Sequence, residues 1–412
     1  MNTVGNKLFH KRTMRKTPLK HKTVLLRADY NVPMQDGKID DDFRIRSSIP
    51  TIEHLLRDGC KVVVISHLGR PDGKPNKEYS LEPVAARLAK LLGRDVRFVD
   101  ACVGPKVKMA IKRAPAKSVI VLENLRFHPE EEANDPAFAR QLAADSGASY
   151  FVQDGFGVVH RAHASTDAIT QILPSVAGLL LEREYVQIVG AMKHPRRPLV
   201  ALLGGAKVSD KIQVIDALVR VADQIIIGGA MANTFLAYHG KPVGSSKVEA
   251  DQNAVLDTIY RDIDRKVSAK FRDNFLVLPT DVAVAKTIDE SETRRNVSVD
   301  DVAADDKILD IGDASIERMV AALDRAQTVI WNGTLGMAEL PEFAHGSARA
   351  ALELAQHRTI TSIIGGGDTA DFVLHWDARG GESFTHVSTG GGASLELMAG
   401  EKLPGIEALL DA

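Results

Sequence analysis

The sequence predicts an α/β protein built on parallel β-sheets and divided into two domains. Short runs of consecutive apolar residues, such as Lys61–Ile65 and Leu199–Leu203, are typical of strands buried on both faces of a sheet. Segments with helical periodicity, such as residues 81–92, alternate with these runs. A chain of 412 residues exceeds what one hydrophobic core usually serves, so two domains are expected.

The composition excludes several classes of protein. With 44% apolar and 26% charged residues, the chain has an ordinary globular composition. A net charge of −2 and an aromatic content of 5% argue against nucleic-acid binding. Cys60 and Cys102 are too few for a disulfide framework, which favours a reducing cytoplasm. No apolar run approaches the roughly 20 residues of a membrane span. Residues 1–22 are basic, lack the apolar core of a secretory signal and are expected to form a short solvated arm.

In the first half of the chain, charged and amide side chains follow the predicted strands. The carboxyl ends of parallel strands meet at one edge of a sheet, where open α/β folds bind ligands. Several cations at that edge would form a basic basin suited to a small polyanion, although a single arginine there is more often solvated. The residues in this position are Asp29, Asn31, His67, Arg70, Arg126, His160, Arg161 and His163. Arg44 and Arg46 are expected just before a helix over residues 50–57. A metal site at the histidines is a poor alternative, because no cysteine or carboxylate set accompanies them.

The second half opens with LVALLGGAKVSDK, which predicts a strand, a glycine loop and a helix. Gly204 and Gly205 allow a sharp turn and a close approach by a ligand. If the helix starts near Val208, its free N–H groups form a phosphate site, with Lys207 and Lys211 one turn apart on one side. An ordinary surface turn before an amphipathic helix remains an alternative. The spacing does not match the Walker pattern, because no GK[ST] closes the loop.

Further glycine runs at residues 228–229, 365–367 and 390–392 each precede a predicted helix. Several such loops at one sheet edge would supply backbone N–H donors to a nucleotide. Asp368 lies in one of them, where its carboxylate suits Mg²⁺ or a helix N-cap. In the alternation of strands and helices, residues 275–278 and 307–311 are expected to be further strands. The segment PTDVAVA is expected to be a loop after the first of them. Residues 173–184, before the second half, are expected to be mainly helical.

The first half thus favours a small polyanion and the second half a nucleotide, which is the division expected of a kinase with a small substrate. A dinucleotide oxidoreductase would need GxGxxG after its first strand, where this chain has RADYNVP. A catalytically silent nucleotide-binding or scaffold protein stays open, because fold alone does not define function. Such a protein would not need both Arg44 and Lys211.

A series of motifs resembles the phosphoglycerate kinase family from about Arg12 to the C-terminus. In the order of that family, the chain contains RADYNVP, SHLGRPDGKP, LENLRFHPEE, HRAHAST, LGGAKVSDKI, GGAMANTFL, LPTDVAVA, GGGDTADF and STGGGASLELMAGEKLPGIEAL. The resemblance implies two doubly wound, Rossmann-like domains joined by a helical hinge. It also implies a cytoplasmic glycolytic enzyme, usually monomeric, that transfers a phosphoryl group between 1,3-bisphosphoglycerate and ADP, giving 3-phosphoglycerate and ATP.

Matched motif by motif, the resemblance assigns residues 1–182 and a returning tail, 399–412, to 3-phosphoglycerate, and residues 183–398 to the nucleotide and Mg²⁺. The implied substrate-binding residues are Asp29, Asn31, Arg44, His67, Arg70, Arg126 and Arg161. The implied nucleotide-binding residues are Lys207, Lys211, Asn332, Glu339, Gly366, Gly367, Asp368 and Thr369, with Asp368 as the metal ligand.

The chain departs from the family pattern at several positions. Thr334 stands where the family commonly has the proline of WNGP, and Ile308 and Asp313 lie in a segment that is commonly GLDIGP. These changes fall near the expected nucleotide pocket, so they bear on the preference for the nucleotide base. A segment that is commonly NDAFGTA carries Gln153, Gly155 and Val158. The arm before Arg12 is longer than expected for the family.

The expected mechanism needs no base, because the acceptor is already an ionised oxygen. Catalysis then consists of alignment and neutralisation of the transferring phosphoryl group. Arg44 and Lys211 are the predicted cations at that group, with Lys207 on the nucleotide phosphates. Because Arg44 and Lys211 lie in different domains, the domains are expected to close for the reaction.

Overall fold

A computed structural model describes residues 8–289 and 293–412. The chain forms two compact units. The N-terminal unit runs to Val186 and includes Lys402–Ala412, and the C-terminal unit is Gln187–Glu401. The boundaries expected from the sequence, after residues 182 and 398, lie a few residues before these two crossings. Each unit contains a six-stranded parallel sheet, which confirms the predicted fold of two doubly wound α/β domains.

The sheet of the N-terminal unit has the order β5-β6-β4-β1-β7-β8. Val24 and Leu26 of β1 pack with α1 and α2 on one face, and Leu25 packs with α3 and α5 on the other. Both faces are therefore covered, as continuous apolar strands require. The strands are β1 Thr23–Arg27, β4 Lys61–Ile65, β5 Val96–Val99, β6 Val119–Leu122, β7 Tyr150–Gln153 and β8 Ser175–Ala177, with a hairpin of β2 Met34–Gln35 and β3 Lys38–Ile39. The helices are α1 Phe43–Arg57, α2 Glu82–Leu92, α3 Pro105–Arg113, α4 Pro129–Glu132 and α5 Pro136–Ser146, and α6 Leu179–Lys193 leads into the next unit.

The sheet of the C-terminal unit has the order β11-β10-β9-β15-β16-β17, and a small antiparallel sheet has the order β13-β12-β14. The strands are β9 Leu199–Leu203, β10 Gln224–Ile227, β11 Leu276–Val277, β12 Asp281–Ala285, β13 Arg295–Ser298, β14 Lys307–Ile311, β15 Thr328–Asn332, β16 Thr361–Gly365 and β17 His386–Val387. The helices are α7 Ile212–Val221, α8 Gly229–Tyr238, α9 Asn253–Val267, α10 Arg272–Phe275, α11 Asp313–Leu323, α12 His345–Gln356, α13 Gly367–Trp376 and α14 Gly391–Ala399. Across the described ranges, none of the helices combines the length and apolarity that crossing a bilayer would require.

The C-terminal tail, with helix α15 Pro404–Glu407, is tied back to the N-terminal unit. The ammonium of Lys11 donates to the carbonyl of Glu407 at 2.8 Å and to the carboxylate of Asp411 at 2.9 Å. The backbone N–H of Gly405 donates to the carbonyl of Val159 at 2.8 Å. The unit is thus built from both ends of the chain.

Helix α1 begins earlier than the sequence predicted. It starts at Phe43 and contains Pro50, so Arg44 and Arg46 lie in its first turn and not before it. The prediction took Pro50 as a helix start, where proline is common. However, the stripe of fully buried side chains, which includes Ile45 and Ile52, continues across the proline. Burial of that stripe outweighs the cost of an interior proline, about 3 kcal/mol.

Two other segments differ from prediction because their strands are short or lie in another sheet. The segment PTDVAVA is not a loop, since it forms β12, and β12 pairs antiparallel with β14 in the small sheet. Residues 175–177 are not helical, because they pair in parallel with β7 as the edge strand β8. Runs of two to five residues carry too little periodicity to reveal which neighbour they pair with.

A buried carboxyl group at the start of α6 makes the stability of the N-terminal unit depend on pH. Asp154 Oδ1 accepts hydrogen bonds from the N–H groups of Leu180 at 2.9 Å and Leu181 at 3.3 Å. Asp154 Oδ2 has no partner among the described residues. Burial, with a contribution from Glu184, raises the pKa of Asp154 to about 7. The fold therefore favours the protonated form.

We expect Asp154→Asn to flatten the pH dependence of the free energy of unfolding. An ordinary aspartate has a pKa of about 4, so the stability due to Asp154 is complete below about pH 4 and is lost as pH rises through about 7. Relative to the variant, the wild type should lose roughly 1–4 kcal/mol between pH 5 and pH 8. Denaturant titrations at both pH values, with the exposed Asp95→Asn as control, measure this. Parallel wild-type and Asp154→Asn curves would contradict it.

Candidate active site

The carboxyl ends of β1 and β4, with the start of α1, bring four predicted substrate residues together. The Arg44 guanidinium lies 3.3 Å from Asp29 Oδ2 and donates to the carbonyl of Asn31 at 2.9 Å. Asn31 Oδ1 accepts from the N–H of Gly69 at 2.8 Å. His67 Nδ1 lies 4.0 Å from Asp29 Oδ1. Arg44 is thus held on one side by Asp29 and Asn31, and 27% of its side chain stays exposed.

The remaining predicted arginines differ in how firmly they are held. Arg126 is 6% exposed, and its Nη1 donates to the carbonyl of Gly69 at 2.7 Å. Arg161 is half-buried, and its Nε donates to His160 Nε2 at 3.2 Å. Burial lowers the pKa of Arg126, and the charge of Arg161 lowers it further. The guanidinium of Arg70 is exposed and makes no hydrogen bond or ion pair within the described chain.

A buried network beneath these residues was not predicted. Arg27, at the end of β1, is 1% exposed, and its Nε donates to Ser165 Oγ at 2.7 Å. Ser165 Oγ donates to Glu131 Oε1 at 2.5 Å, and Arg27 Nη2 lies 3.9 Å from that oxygen. A cation that ends an apolar strand is a signal that could have indicated Arg27. Nothing in the sequence distinguishes Glu131 from the adjacent glutamates.

The histidines of this edge are held neutral. Arg27 Nη2 lies 3.3 Å from His67 Nδ1, which makes this nitrogen the acceptor and leaves the ring proton on Nε2. Burial, with the charge of Arg27, holds the pKa of His67 well below its usual value. Burial and the same guanidinium lower the pKa of His163 to about 4. Neutral rings among arginines act as hydrogen-bonding groups and do not add charge at neutral pH.

In the C-terminal unit, residues 204–211 form a connection that we call the lysine loop. Its first half is anchored by backbone bonds, from the N–H of Gly204 to the carbonyl of Asn332 and from the N–H of Gly205 to that of Thr334, both at 3.0 Å. Its second half forms a 3-10 turn, Ser209–Lys211, before α7. The prediction that its N–H groups are free is wrong. The N–H groups of Val208 and Ser209 donate to the carboxylate of Glu249, a residue distant in sequence, at 2.7 and 3.1 Å.

The two lysines of the loop lie in different environments, although one shared side was predicted. Lys207 is exposed, and its charge acts on Glu249. Lys211 is 9% exposed, and its ammonium donates to Asn332 Oδ1. Burial lowers the pKa of Lys211 to about 8, with the opposing effect of Asp368 nearby. Lys211 is thus a cation in a poorly solvated site, where electrostatic interactions are strong.

The amide of Asn332 supplies a donor that the fold leaves free. Asn332 is fully buried at the end of β15, and its Nδ2 has no hydrogen-bond partner among the described residues. A Cβ at Gly366, where φ is +92°, would lie 3.1 Å from that nitrogen. The glycine therefore keeps the space beside the amide open. The N–H of Gly333 donates to Thr369 Oγ1 at 2.6 Å, which fixes Thr369 next to this strand end.

The three predicted glycine runs all start helices at the carboxyl ends of the strands, namely α8, α13 and α14. Asp368 lies in the first turn of α13, whose N-cap is Gly366, so the alternative that Asp368 caps the helix is wrong. Its carboxylate is exposed and has no hydrogen bond within residues 8–289 and 293–412. A lone carboxylate beside a phosphate site fits Mg²⁺, which one or two carboxylates and substrate phosphates usually hold.

Three other positions that the sequence singles out have different surroundings. Glu339 is exposed and makes no hydrogen bond to the other predicted residues. Asp313 accepts hydrogen bonds from Arg294 and Asn296, at 3.3 and 2.7 Å. Ile308 is buried in the apolar cluster of the small antiparallel sheet. Contacts thus join Lys211, Asn332, Gly366 and Thr369, whereas Glu339 makes no hydrogen bond to them within the described residues.

The fold and these two sets of residues define a nucleotide-dependent phosphotransferase. One unit gathers arginines and neutral histidines at its sheet edge, and the other gathers a buried lysine and glycine-led helices. Residues 14–401 match the family model described as phosphoglycerate kinase. The chain belongs to the phosphoglycerate kinase family. The predicted family and enzyme class, a phosphotransferase with a carboxyl acceptor, are confirmed, and the silent scaffold is not favoured.

Relatives and solved structures of this family match almost the whole length of the chain. The phosphoglycerate kinase of Pelotomaculum thermopropionicum is 46% identical over 403 residues, covering 97% of this chain and 99% of that protein. The chloroplastic enzyme of Volvox carteri is 46% identical over 400 residues, covering 96% and 84%. The structure of phosphoglycerate kinase from Coxiella burnetii has a TM-score of 0.82 at 34% identity, covering 97% and 98%. That from Pyrococcus horikoshii has the same TM-score at 30% identity, with the same coverage.

Proposed function

We propose that the N-terminal unit binds 3-phosphoglycerate or 1,3-bisphosphoglycerate and that the C-terminal unit binds ADP or ATP. The observation that carries this proposal is the division of the polar groups. Arg44, Arg126 and Arg161 lie at one sheet edge and suit a small polyanion. Lys211 and Asn332, whose Nδ2 has no partner among the described residues, lie at the carboxyl edge of the sheet in the C-terminal unit, beside helices that begin with glycine.

The proposed reaction transfers a phosphoryl group between the acyl phosphate of 1,3-bisphosphoglycerate and ADP. The attacking oxygen is ionised in both directions, so no side chain has to remove a proton from it. Arg44 and Lys211 neutralise the equatorial oxygens of the transferring group, and Lys207 contacts the nucleotide phosphates. Asp29, Asn31, His67, Arg70, Arg126 and Arg161 orient the substrate, and Asn332, Gly366, Gly367 and Thr369 orient the nucleotide. Glu339 is a further proposed nucleotide contact, on the strength of the family motif.

Mg²⁺ is the metal that we propose for the nucleotide. When bound, it would neutralise charge on the nucleotide phosphates. Asp368 is the residue that would hold it, because its carboxylate is exposed and makes no hydrogen bond within the described residues. The charge of Asp368 also acts on Lys211, which keeps anion and cation within reach of one phosphate chain.

The test is a coupled assay for ATP- and Mg²⁺-dependent phosphorylation of 3-phosphoglycerate by the full chain. Turnover that requires all three components supports the proposal. Calorimetry that detects nucleotide binding without turnover would instead identify a nucleotide-binding protein without catalysis.

We also propose that the two units close around bound ligands, because Arg44 and Lys211 belong to different units. In-line transfer needs reacting atoms within roughly 3–3.5 Å, and water must be excluded from the acyl phosphate. Each ligand contacts mainly one unit, so both together should shift the population furthest. Small-angle scattering should give the smallest radius of gyration for the ternary complex with an inert ATP analogue. A radius that is constant across the apo, binary and ternary states would refute closure.

We place the enzyme in the cytoplasm as a monomer that binds neither nucleic acid nor membrane. The buried free thiols of Cys60 and Cys102 support a reducing compartment. Sedimentation should then give a mass near 44.7 kDa, and a dimer mass at micromolar concentration would contradict the monomer.

A further inference from the structure

The carboxylate of Glu249 ties the lysine loop to a neighbouring helix. Besides the N–H groups of Val208 and Ser209, it accepts a hydrogen bond from the hydroxyl of Ser209. The backbone N–H of Glu249 donates to Oγ1 of Thr234 at 3.1 Å, and Thr234 is a buried residue of α8. Glu249 therefore joins the lysine loop to the helix that starts at the glycine run of residues 228–229.

The two halves of the lysine loop depend on different anchors. The first half is held by strand ends, and the carbonyl of Gly205 also accepts from the N–H of Met231 at 2.9 Å. In the second half, the N–H groups of Val208 and Ser209 have the carboxylate of Glu249 as their partner. These bonds lie between Lys207 and Lys211 in the sequence. One side chain thus fixes the backbone that carries both cations.

The electrostatics favour an ionised anchor. Although partial burial opposes it, the hydrogen bonds from Ser209 and Val208 and the charge of Lys207 lower the pKa of Glu249. An ionised carboxylate that accepts both N–H groups satisfies the donors that lead into the 3-10 turn Ser209–Lys211. A nucleotide phosphate is therefore excluded from that position and remains available to the lysine side chains.

We propose that Glu249 is a positioning residue for the nucleotide: it holds the lysine loop in the geometry that presents Lys207 and Lys211, and it blocks a nonproductive phosphate site at Val208 and Ser209. This inference rests on the proposed function. Glu249 itself contacts neither substrate nor the reacting atoms. A misplacement of about 1 Å in catalytic groups can cost about 100-fold in rate, so loss of the anchor should be measurable.

The experiment compares Glu249→Ala, Glu249→Gln and Asp257→Ala in the full chain, with wild type assayed first. Glu249→Ala should raise the nucleotide KM about five-fold or more and lower kcat about ten-fold. The KM for 3-phosphoglycerate should stay within about two-fold, because its proposed groups lie in the other unit. Glu249→Gln should recover part of the loss, since its amide oxygen still accepts an N–H. Asp257 is a matched control: it accepts a hydrogen bond from Tyr238 of α8 at 2.5 Å, and within the described part of the chain it makes no hydrogen bond to the lysine loop.

The results separate the possible failures. An inactive wild type would refute the proposed function, and the positioning role of Glu249 in that reaction would fall with it. An active wild type with an unchanged nucleotide KM and kcat in Glu249→Ala would refute the positioning role alone. An equal rise of both KM values, or the same defect in Asp257→Ala, would show general damage and would also overturn the inference. Circular dichroism checks that each variant is folded, and Glu249→Gln provides the test if Glu249→Ala does not fold.

Discussion

Replacing Lys211 with alanine should lower kcat by about 10³- to 10⁵-fold, the range known for single cations that neutralise a transferring phosphoryl group. The side chain is 9% exposed, so its charge acts in a poorly solvated site. Its ammonium is also directed by Asn332 at the end of β15. Replacing a mobile surface lysine would lower kcat much less, because water screens the charge of an exposed side chain.

Two further variants separate charge from packing. Lys211→Met keeps the buried aliphatic stem and removes the ammonium, so it should be as inactive as Lys211→Ala while remaining folded. Lys207→Ala removes the exposed lysine of the same loop, and we expect a higher nucleotide KM with a smaller loss of kcat. Steady-state kinetics and circular dichroism measure these outcomes. Turnover near that of wild type in Lys211→Met would show that the charge is not needed.

Much of the candidate site could be predicted because a parallel sheet imposes its own geometry. Once residues 23–26 and 61–65 are identified as buried strands, their carboxyl ends must lie at one edge. Asp29 and His67 follow these strands by a few residues, so their proximity follows from topology alone. The same reasoning predicted that the glycine runs would precede helices α8, α13 and α14, as the structure shows.

The parts that could not be predicted depend on side chains that meet across long sequence separations. Glu249 takes the N–H groups that were expected to bind phosphate, and nothing in the lysine loop itself shows that an internal carboxylate competes for them. Likewise, the position of Glu131 beside Arg27 depends on how the short helix α4 packs against the end of β1. Local patterns reveal which groups need a partner, but they do not reveal which partner supplies it.

Helix α1 illustrates the opposite error, in which a local rule was given too much weight. Proline is favoured in the first turn of a helix, so this rule alone predicts a start at Pro50. The apolar stripe that runs from Ile45 to Ile52 carries the stronger information, because its burial stabilises the helix on both sides of the proline. Arg44 consequently lies in the first turn of α1, where it reaches Asp29.

Replacing Arg44 with alanine should also lower kcat by about 10³- to 10⁵-fold. One nitrogen of the Arg44 guanidinium, Nη1, donates to the carboxylate of Asp29 and to the carbonyl of Asn31. These two hydrogen bonds fix the plane of the guanidinium. Its other donors are not used by these residues and are available to a phosphoryl group, for which arginine offers paired donors. Arg44→Lys should recover only a small part of the activity, because an ammonium cannot reproduce that planar fork. Arg46→Ala is the matched control: Arg46 lies in the same helical turn and pairs with Asp42 at 2.7 Å, so kcat should stay within about two-fold of wild type.

The loss in Arg44→Ala could have a second cause, which a double-mutant cycle can separate. Arg44 neutralises Asp29, which is 5% exposed, so its removal leaves a carboxylate that repels an anionic substrate. Repulsion from Asp29 would raise the KM for 3-phosphoglycerate, whereas loss of the cation at the transferring group lowers kcat. In an Asp29→Asn background the repulsion is absent, so Arg44→Ala should still lower kcat by orders of magnitude while raising KM less. If kcat in the double variant equals that of Asp29→Asn alone, Arg44 acts only by masking Asp29, and its assignment to the transferring phosphoryl group is wrong.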